Sequence, residues 1–127
     1  MPDKKKILIV DDDPNVHVIL KLTLEKAGYQ TASAMDAMQG PMMARTFKPD
    51  LIILDIMMPM LDGNKKAKIL KENQLCKNIP ILLLSSKNED EMNRLTLEAG
   101  ADGYIRKPFT PSEIVAKVKQ TLAVKHP

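Results

Sequence analysis

The chain has 127 residues, of which 44% are hydrophobic and 28% charged, and this composition is typical of one folded domain, too short to form two. Its formal charge of +3 arises from 19 basic and 16 acidic residues, and its single cysteine, Cys76, excludes an internal disulfide or a metal site built from several cysteines. No apolar run approaches the ~20 residues of a membrane span, and Lys4 to Lys6 precede too short an apolar stretch for a signal peptide, so we expect a cytoplasmic protein.

The first predicted element is a short buried strand that leads into an acidic loop. Residues Ile7 to Val10 read ILIV, the pattern of a strand covered on both faces in a parallel sheet. Three aspartates, Asp11 to Asp13, follow directly, and Pro14 then suits the first position of a helix with Asp13 as its N-cap. Gly28 is expected to end this helix. Its apolar positions recur at helical spacing: Val16, Leu20, Leu24 and Ala27.

The sequence predicts the second strand and the second helix less clearly than the other elements. Residues Tyr29 to Ala34 alternate weakly and predict a second strand, at an edge of the sheet. The segment from Asp36 to Phe47 predicts a helix, although Gly40 and Pro41 lie inside it. Because proline cannot donate a backbone hydrogen bond and crowds the preceding turn, we expect this helix to start late or to kink.

A central strand ends at an aspartate. Residues Leu51 to Leu54 are wholly apolar, Asp55 lies where the run ends, and a turn-rich segment continues to Gly63. Ligands of open α/β sheets bind beyond the carboxyl ends of the strands, so Asp55 is suitably placed for chemistry, although aspartate also commonly caps turns. Residues Asn64 to Asn73 predict a lysine-rich helix, which we interpret as a solvated face because no aromatic residues interleave the lysines.

Two further strand and helix pairs complete the chain. Residues Ile81 to Leu84 predict a fourth strand ending at Ser85, and a capping box at Asn88 opens a helix that runs through Ala99 to Gly100. Residues Asp102 to Arg106 predict a fifth strand, followed by Lys107. The last helix has Thr110 and Glu113 at capping-box spacing, Pro111 at its first position, and an apolar face of Ile114, Val118 and Leu122.

Strands therefore alternate with helices five times, with short connections. Short crossovers between parallel strands are right-handed and place helices on both faces of a sheet. The sequence thus predicts an α/β fold with a doubly wound, five-stranded parallel sheet of strand order 2-1-3-4-5, flavodoxin-like.

This topology brings the carboxyl ends of strands one, three, four and five side by side. Three carboxylates in a small space repel one another, and at least one should stay protonated without a cation. Hard oxygen ligands suit Mg²⁺, and a lysine suits a phosphoryl group. Each residue alone could be a cap, a turn residue or a surface side chain, but their conjunction indicates a site. The residues that follow these strands are Asp11, Asp12, Asp55, Ser85, Ser86 and Lys107.

Four segments in this order resemble the receiver domain of two-component response regulators, over nearly the whole chain. They read ILIVDDDPNV at 7–16, DLIILDIMMPMLDG at 50–63, PILLLSS at 80–86 and EAGADGYIRKPF at 98–109. The resemblance implies a single receiver domain over residues 1–127, similar to single-domain chemotaxis regulators. It implies a phosphoacceptor switch that catalyses only its own phosphorylation and dephosphorylation, and is otherwise not an enzyme.

The same resemblance implies roles for individual residues. Asp55 would accept a phosphoryl group from the phosphohistidine of a sensor kinase or a phosphotransfer protein. Asp12, Asp55 and the backbone carbonyl of Met57 would ligate Mg²⁺, with Asp11 nearby or acting through water. Lys107 would neutralise charge on the phosphoryl oxygens.

The resemblance further implies a switch. The hydroxyl of Ser85 would reach the phosphoryl group, Tyr104 would turn inward as that hydroxyl moves, and the bond between Lys107 and Pro108 is usually cis in this family. The fourth helix, fifth strand and fifth helix would then present a face to a downstream protein target, with no direct binding to DNA and none to membranes.

Two other protein classes would require different residues at the same positions. An aspartate-dependent phosphohydrolase would commonly place a second acid at Met57, which cannot transfer a proton. A flavin-binding module would have its phosphate repelled by Asp11 to Asp13. We expect a stand-alone receiver, because residues 1–127 leave no room for a DNA-binding domain; the alternative is a fragment of a larger regulator or hybrid kinase.

Overall fold

A computed structural model describes residues 4–35, 39–56 and 78–125 of the chain. The predicted helix at 64–73, the turn that ends at Gly63 and the predicted metal ligand Met57 lie outside the described residues. The helices predicted fourth and fifth along the chain are therefore named α3 and α4. The elements are β1 (Lys6–Val10), α1 (Pro14–Lys26), β2 (Gln30–Ala34), α2 (Gly40–Phe47), β3 (Leu51–Asp55), β4 (Ile81–Ser85), α3 (Glu89–Ala99), β5 (Gly103–Arg106) and α4 (Pro111–Lys125).

The five strands form one parallel sheet in the order β2-β1-β3-β4-β5, which confirms the predicted topology. Every residue of β3 and β4 is buried, as their apolar sequences predict for central strands. The edge strand β5 alternates between buried and more exposed positions, whereas β2 is half-buried or exposed along its length and buries only its last residue, Ala34. Polarity along each strand thus decides whether the strand lies at the centre or at the edge.

Side chains of the central strands alternate between two hydrophobic layers. Ile7, Ile9, Leu51 and Ile53 pack with apolar residues of α1 and α4, whereas the residues between them pack with those of α2 and α3. Each fully buried aliphatic side chain contributes roughly 1.5–3 kcal/mol. The alternation also decides on which side of the sheet a residue just after a strand will lie.

Capping side chains hold the predicted helix starts. Asp13 Oδ1 accepts a hydrogen bond from the backbone N–H of Asn15 at 2.9 Å, and Asn88 Oδ1 accepts one from Glu91 at 2.9 Å. Thr110 Oγ1 accepts the N–H of Glu113 at 3.2 Å. The three predicted caps are confirmed, because each depends only on residues close together in the sequence.

Two details of the helices test the sequence pattern. Helix α2 begins at Gly40 with Pro41 in its first turn, which confirms the expected late start. The prediction that Ala27 belongs to the apolar face of α1 is wrong, since Ala27 is exposed and is the C-cap. Gly28, at a φ of 97°, turns the chain away there, so the Ala27 side chain lies past the last turn that packs on the sheet.

Within the described ranges, no helix combines the length and the apolar character needed to cross a bilayer.

Candidate functional site

The register between β1 and β3 places two buried carboxylates at the same level. Val10 pairs with Leu54, so Asp11 and Asp55 lie side by side at the next position. Ile9 and Ile53, two residues earlier, both face the α1/α4 layer, and the strand alternation directs Asp11 and Asp55 to that same side. Asp11 is 0% exposed and Asp55 is 4% exposed. Two acidic side chains are thus held together in a setting of low polarity.

Lys107 contributes the positive charge of the site. Its Nζ lies 2.8 Å from Asp55 Oδ2, a contact between residues 52 positions apart in the chain. The backbone N–H of Lys107 donates to the carbonyl of Ser85 at 2.8 Å, which ties the lysine to the end of β4. The bond between Lys107 and Pro108 is cis, as the resemblance implied. The ammonium group therefore lies where it can neutralise charge on Asp55 or on a group attached to it.

Burial sets the protonation of Asp11. Desolvation by burial, followed by the effect of the neighbouring Asp55 carboxyl, raises the pKa of Asp11 from 3.8 to about 7. The N–H of Asp13 and the charge of Lys107 lower this pKa, but they do not outweigh the desolvation. The raised pKa of Asp11 agrees with the expectation that one carboxylate of the cluster holds a proton when no cation is bound.

The structure brings two of the three predicted carboxylate ligands, Asp11 and Asp55, together as hard oxygen donors, but does not group Asp12 with them. Asp11 Oδ1 accepts the N–H of Asp13 at 2.8 Å, whereas Asp11 Oδ2 is buried and has no hydrogen-bond partner among the described residues. Mg²⁺ takes one or two carboxylates and fills its remaining positions with water and carbonyl oxygens. Asp12 is exposed on the same loop. Within residues 4–35, 39–56 and 78–125, no three His, Cys, Asp or Glu side chains are grouped closely enough to hold a metal ion.

Ser85 lies at the end of β4, and Tyr104 lies on the edge strand β5. Ser85 is fully buried at the end of β4, and its Oγ accepts the N–H of Lys87 at 3.1 Å. Tyr104 is half-buried and packs against the α2/α3 layer from the edge strand β5. A surface groove of about 280 Å³ runs beside Tyr104 between α3, β5 and α4. The structure thus joins Asp11, Asp55 and Lys107 directly, and connects Ser85 to them through the backbone.

Sequence reasoning missed one buried polar residue next to this site. His17 lies on α1, is 7% exposed, and has its Nε2 atom 2.7 Å from the backbone carbonyl oxygen of Asp11. The available signal was helical spacing, because positions 17, 20 and 24 share one face with the buried Leu20 and Leu24.

The raised pKa of Asp11 predicts a specific dependence of stability on pH. Between pH 3.8 and about 7 the folded state holds a proton that the unfolded state has released, so the stability contributed by Asp11 falls as the pH rises through this range. Asp11→Asn is therefore expected to raise the free energy of unfolding of the metal-free protein at pH 8 by on the order of 2 kcal/mol, with little change near pH 4.

Urea unfolding followed by far-UV circular dichroism in EDTA would measure this difference. Asp12→Asn is the matched control, because it neutralises the neighbouring, exposed carboxylate and should have a much smaller effect. A difference between Asp11→Asn and wild type that is the same at pH 4 and pH 8 would contradict the prediction.

Comparison with known proteins adds family evidence to this geometry. Residues 7–119 match the family model of the response regulator receiver domain. The chain is 45% identical over 118 residues to the alkaline phosphatase synthesis transcriptional regulatory protein PhoP of Bacillus subtilis, and covers 48% of that protein. It thus spans about half the length of the curated relatives it matches.

Two solved structures have the same fold. The chemotaxis protein CheY4 of Vibrio cholerae superposes with a TM-score of 0.86 at 28% identity, and the match covers 94% of this chain and 99% of that one. The receiver domain of a sensor histidine kinase from Pseudomonas aeruginosa, which has a magnesium ion in its active-site cleft, superposes at 0.83. That match has 24% identity and covers 95% of this chain and 99% of the other, so it bears on the fold alone.

Proposed function

Since the chain belongs to the response regulator receiver domain family, we propose that it is a phosphoacceptor switch that receives its phosphoryl group on Asp55. The donor would be a phosphohistidine on a sensor kinase or a phosphotransfer protein. The observation that carries the proposal is the contact of 2.8 Å between Lys107 Nζ and Asp55 Oδ2, beside the buried Asp11. The proposal includes a cytoplasmic location, which the single Cys76 supports.

The chain's own residues account for most of the proposed reaction. A carboxylate oxygen of Asp55 attacks phosphorus in line, the new O–P bond forms as the P–N bond of the phosphohistidine breaks, and the histidine nitrogen leaves with the electron pair. Lys107, already paired with Asp55, stays close enough to neutralise the charge that develops on the phosphoryl oxygens. Burial of the pair strengthens this electrostatic contribution, because few water molecules screen it.

A divalent cation would complete the charge balance of the site. Asp11, Asp12, the Asp55 carboxylate and the backbone carbonyl of Met57 would hold Mg²⁺, and the unpaired, buried Oδ2 of Asp11 supports this assignment. When bound, the ion supplies charge neutralisation for the two carboxylates and for the incoming phosphoryl group.

The output of the switch is proposed to be protein binding. Ser85 and Tyr104 would transmit the change at Asp55 to the face made by α3, β5 and α4, where a downstream protein would dock. Tyr104 is half-buried there, beside a groove that carries charges of both signs. Such a receiver could act alone or as the receiver part of a longer regulator. The charged residues along the groove are Glu89, Arg106, Glu113 and Lys117.

Incubation with a small phosphodonor tests the proposed function directly. Wild-type protein treated with acetyl phosphate and Mg²⁺ is expected to gain the mass of one phosphoryl group, because the site stabilises the transfer geometry whatever the leaving group. Intact-mass spectrometry measures the gain, and excess EDTA provides the control that should prevent it. An unchanged mass in the presence of Mg²⁺, with the protein folded, would contradict the proposal.

A further inference from the structure

We propose that His17 is a positioning residue for the phosphoacceptor site, which holds the loop between β1 and α1 so that the Asp11 carboxylate is directed at the cation position beside Asp55. The inference rests on the proposed function. It adds to that function a residue that contacts neither the phosphoryl group nor the cation and acts only through Asp11.

The bond between His17 and Asp11 is short and buried. The Nε2 atom of His17 lies 2.7 Å from the carbonyl oxygen of Asp11, at the short end of the range for N–H···O bonds. A carbonyl oxygen can only accept, so Nε2 carries the proton and donates it. Because His17 is 7% exposed, water has little access to replace the bond if the imidazole is removed.

This bond fixes the last free backbone group of Asp11. The N–H of Asp11 donates to the carbonyl of Ala34 at 3.1 Å, and Asp11 Oδ1 accepts the N–H of Asp13 at 2.8 Å. With the carbonyl held by His17, both backbone groups and one carboxylate oxygen have partners. The remaining atom, Oδ2, is buried and has no hydrogen-bond partner among the described residues. The direction of Oδ2 is therefore set by three bonds, one of which comes from helix α1.

Helix α1 itself is firmly seated, so it can serve as the support for the loop. Leu20 and Leu24, one and two turns after His17, are fully buried against the sheet. The N–H of His17 also donates to the carbonyl of Asp13 at 3.4 Å, which ties the first turn of the helix to the same loop. Positioning groups of this kind typically alter metal affinity by 10-fold to 100-fold when they are removed.

The test measures Mg²⁺ affinity without any phosphodonor. Backbone amide signals in NMR spectra are followed during titration with MgCl₂ for wild type, His17→Phe and His17→Leu, which lack the donor, and His17→Gln, which has an amide donor at a similar reach. We expect the dissociation constant for Mg²⁺ to rise about tenfold in the first two variants and to return largely towards the wild-type value with Gln. Either donor-free variant is sufficient if the other does not fold.

A matched control separates positioning from general stability. Met92→Ala removes buried packing on α3, in the hydrophobic layer that α1 does not share, and should lower the free energy of unfolding while leaving Mg²⁺ affinity unchanged. Equal affinity in wild type and a folded donor-free variant would overturn the role of His17, and so would a Gln variant as weak as the donor-free ones. A wild-type protein that binds no Mg²⁺ and accepts no phosphoryl group would instead overturn the proposed function.

Discussion

Replacing Asp55 with asparagine is expected to abolish phosphorylation by acetyl phosphate, with a loss of about 10³-fold or more in rate. The amide nitrogen and oxygen of asparagine cannot act as the carboxylate nucleophile, although the side chain has the same size and can still accept a hydrogen bond from Lys107. Because Asp55 is 4% exposed and is joined to Lys107 at 2.8 Å, the Asn variant changes the reacting atom with little change in packing.

The Asp55→Asn experiment needs a control for altered charge. Asp90→Asn changes the same chemical group on an exposed position of α3 and should leave phosphorylation at the wild-type level. Intact-mass spectrometry after incubation with Mg²⁺ and acetyl phosphate reports the modified fraction, and circular dichroism confirms that each variant is folded. Phosphorylation of Asp55→Asn at an unchanged rate would remove Asp55 from the mechanism.

Replacing Lys107 with alanine is expected to slow phosphorylation by about 10²–10³-fold, the range found when one preorganised donor is removed from a transition state. The ammonium group lies 2.8 Å from Asp55 Oδ2 and is partly buried, so water would compensate only partly for its loss. Lys107→Arg should recover a fraction of the rate, because guanidinium keeps the charge but has a different shape and reach.

Lys119→Ala is the matched control for the lysine experiment, since Lys119 is an exposed lysine of α4 and should be neutral. The rate is measured from the time course of the intact mass at fixed acetyl phosphate and Mg²⁺. If Lys107→Ala reacted as fast as Lys119→Ala, the contact between Lys107 and Asp55 would have no part in phosphoryl transfer.

The predictions of helix caps and helix starts were confirmed, because these features depend on residues close together in the sequence. Asp13, Asn88 and Thr110 cap the helices that their spacing predicted, because a cap joins atoms two or three residues apart. Pro41 was compatible with a helix only in its first turn, and α2 begins at Gly40 accordingly. Helical spacing alone placed Ala27 with the apolar residues of α1. It could not show that the helix ends there and that the chain turns away at Gly28.

The candidate site was partly predictable because topology follows from the order of elements. Once parallel strands alternate with helices, the residues that end β1 and β3 must lie near each other, so Asp11 and Asp55 could be grouped from the sequence. The distance between Lys107 and Asp55 could not be predicted, since the same topology leaves a long, flexible side chain several rotamers. The raised pKa of Asp11 likewise depends on how completely the fold excludes water.

The amino-acid sequence by itself determined the five strands, the helices among the described residues, their caps and the order 2-1-3-4-5, because apolar periodicity, turn residues and short connections act locally and leave few ways to build a sheet. Only the tertiary structure decided that Lys107 contacts Asp55, that Asp11 is fully buried and that His17 reaches the Asp11 carbonyl. These contacts depend on side-chain directions and on the exclusion of water, which arise when elements distant in the chain pack together.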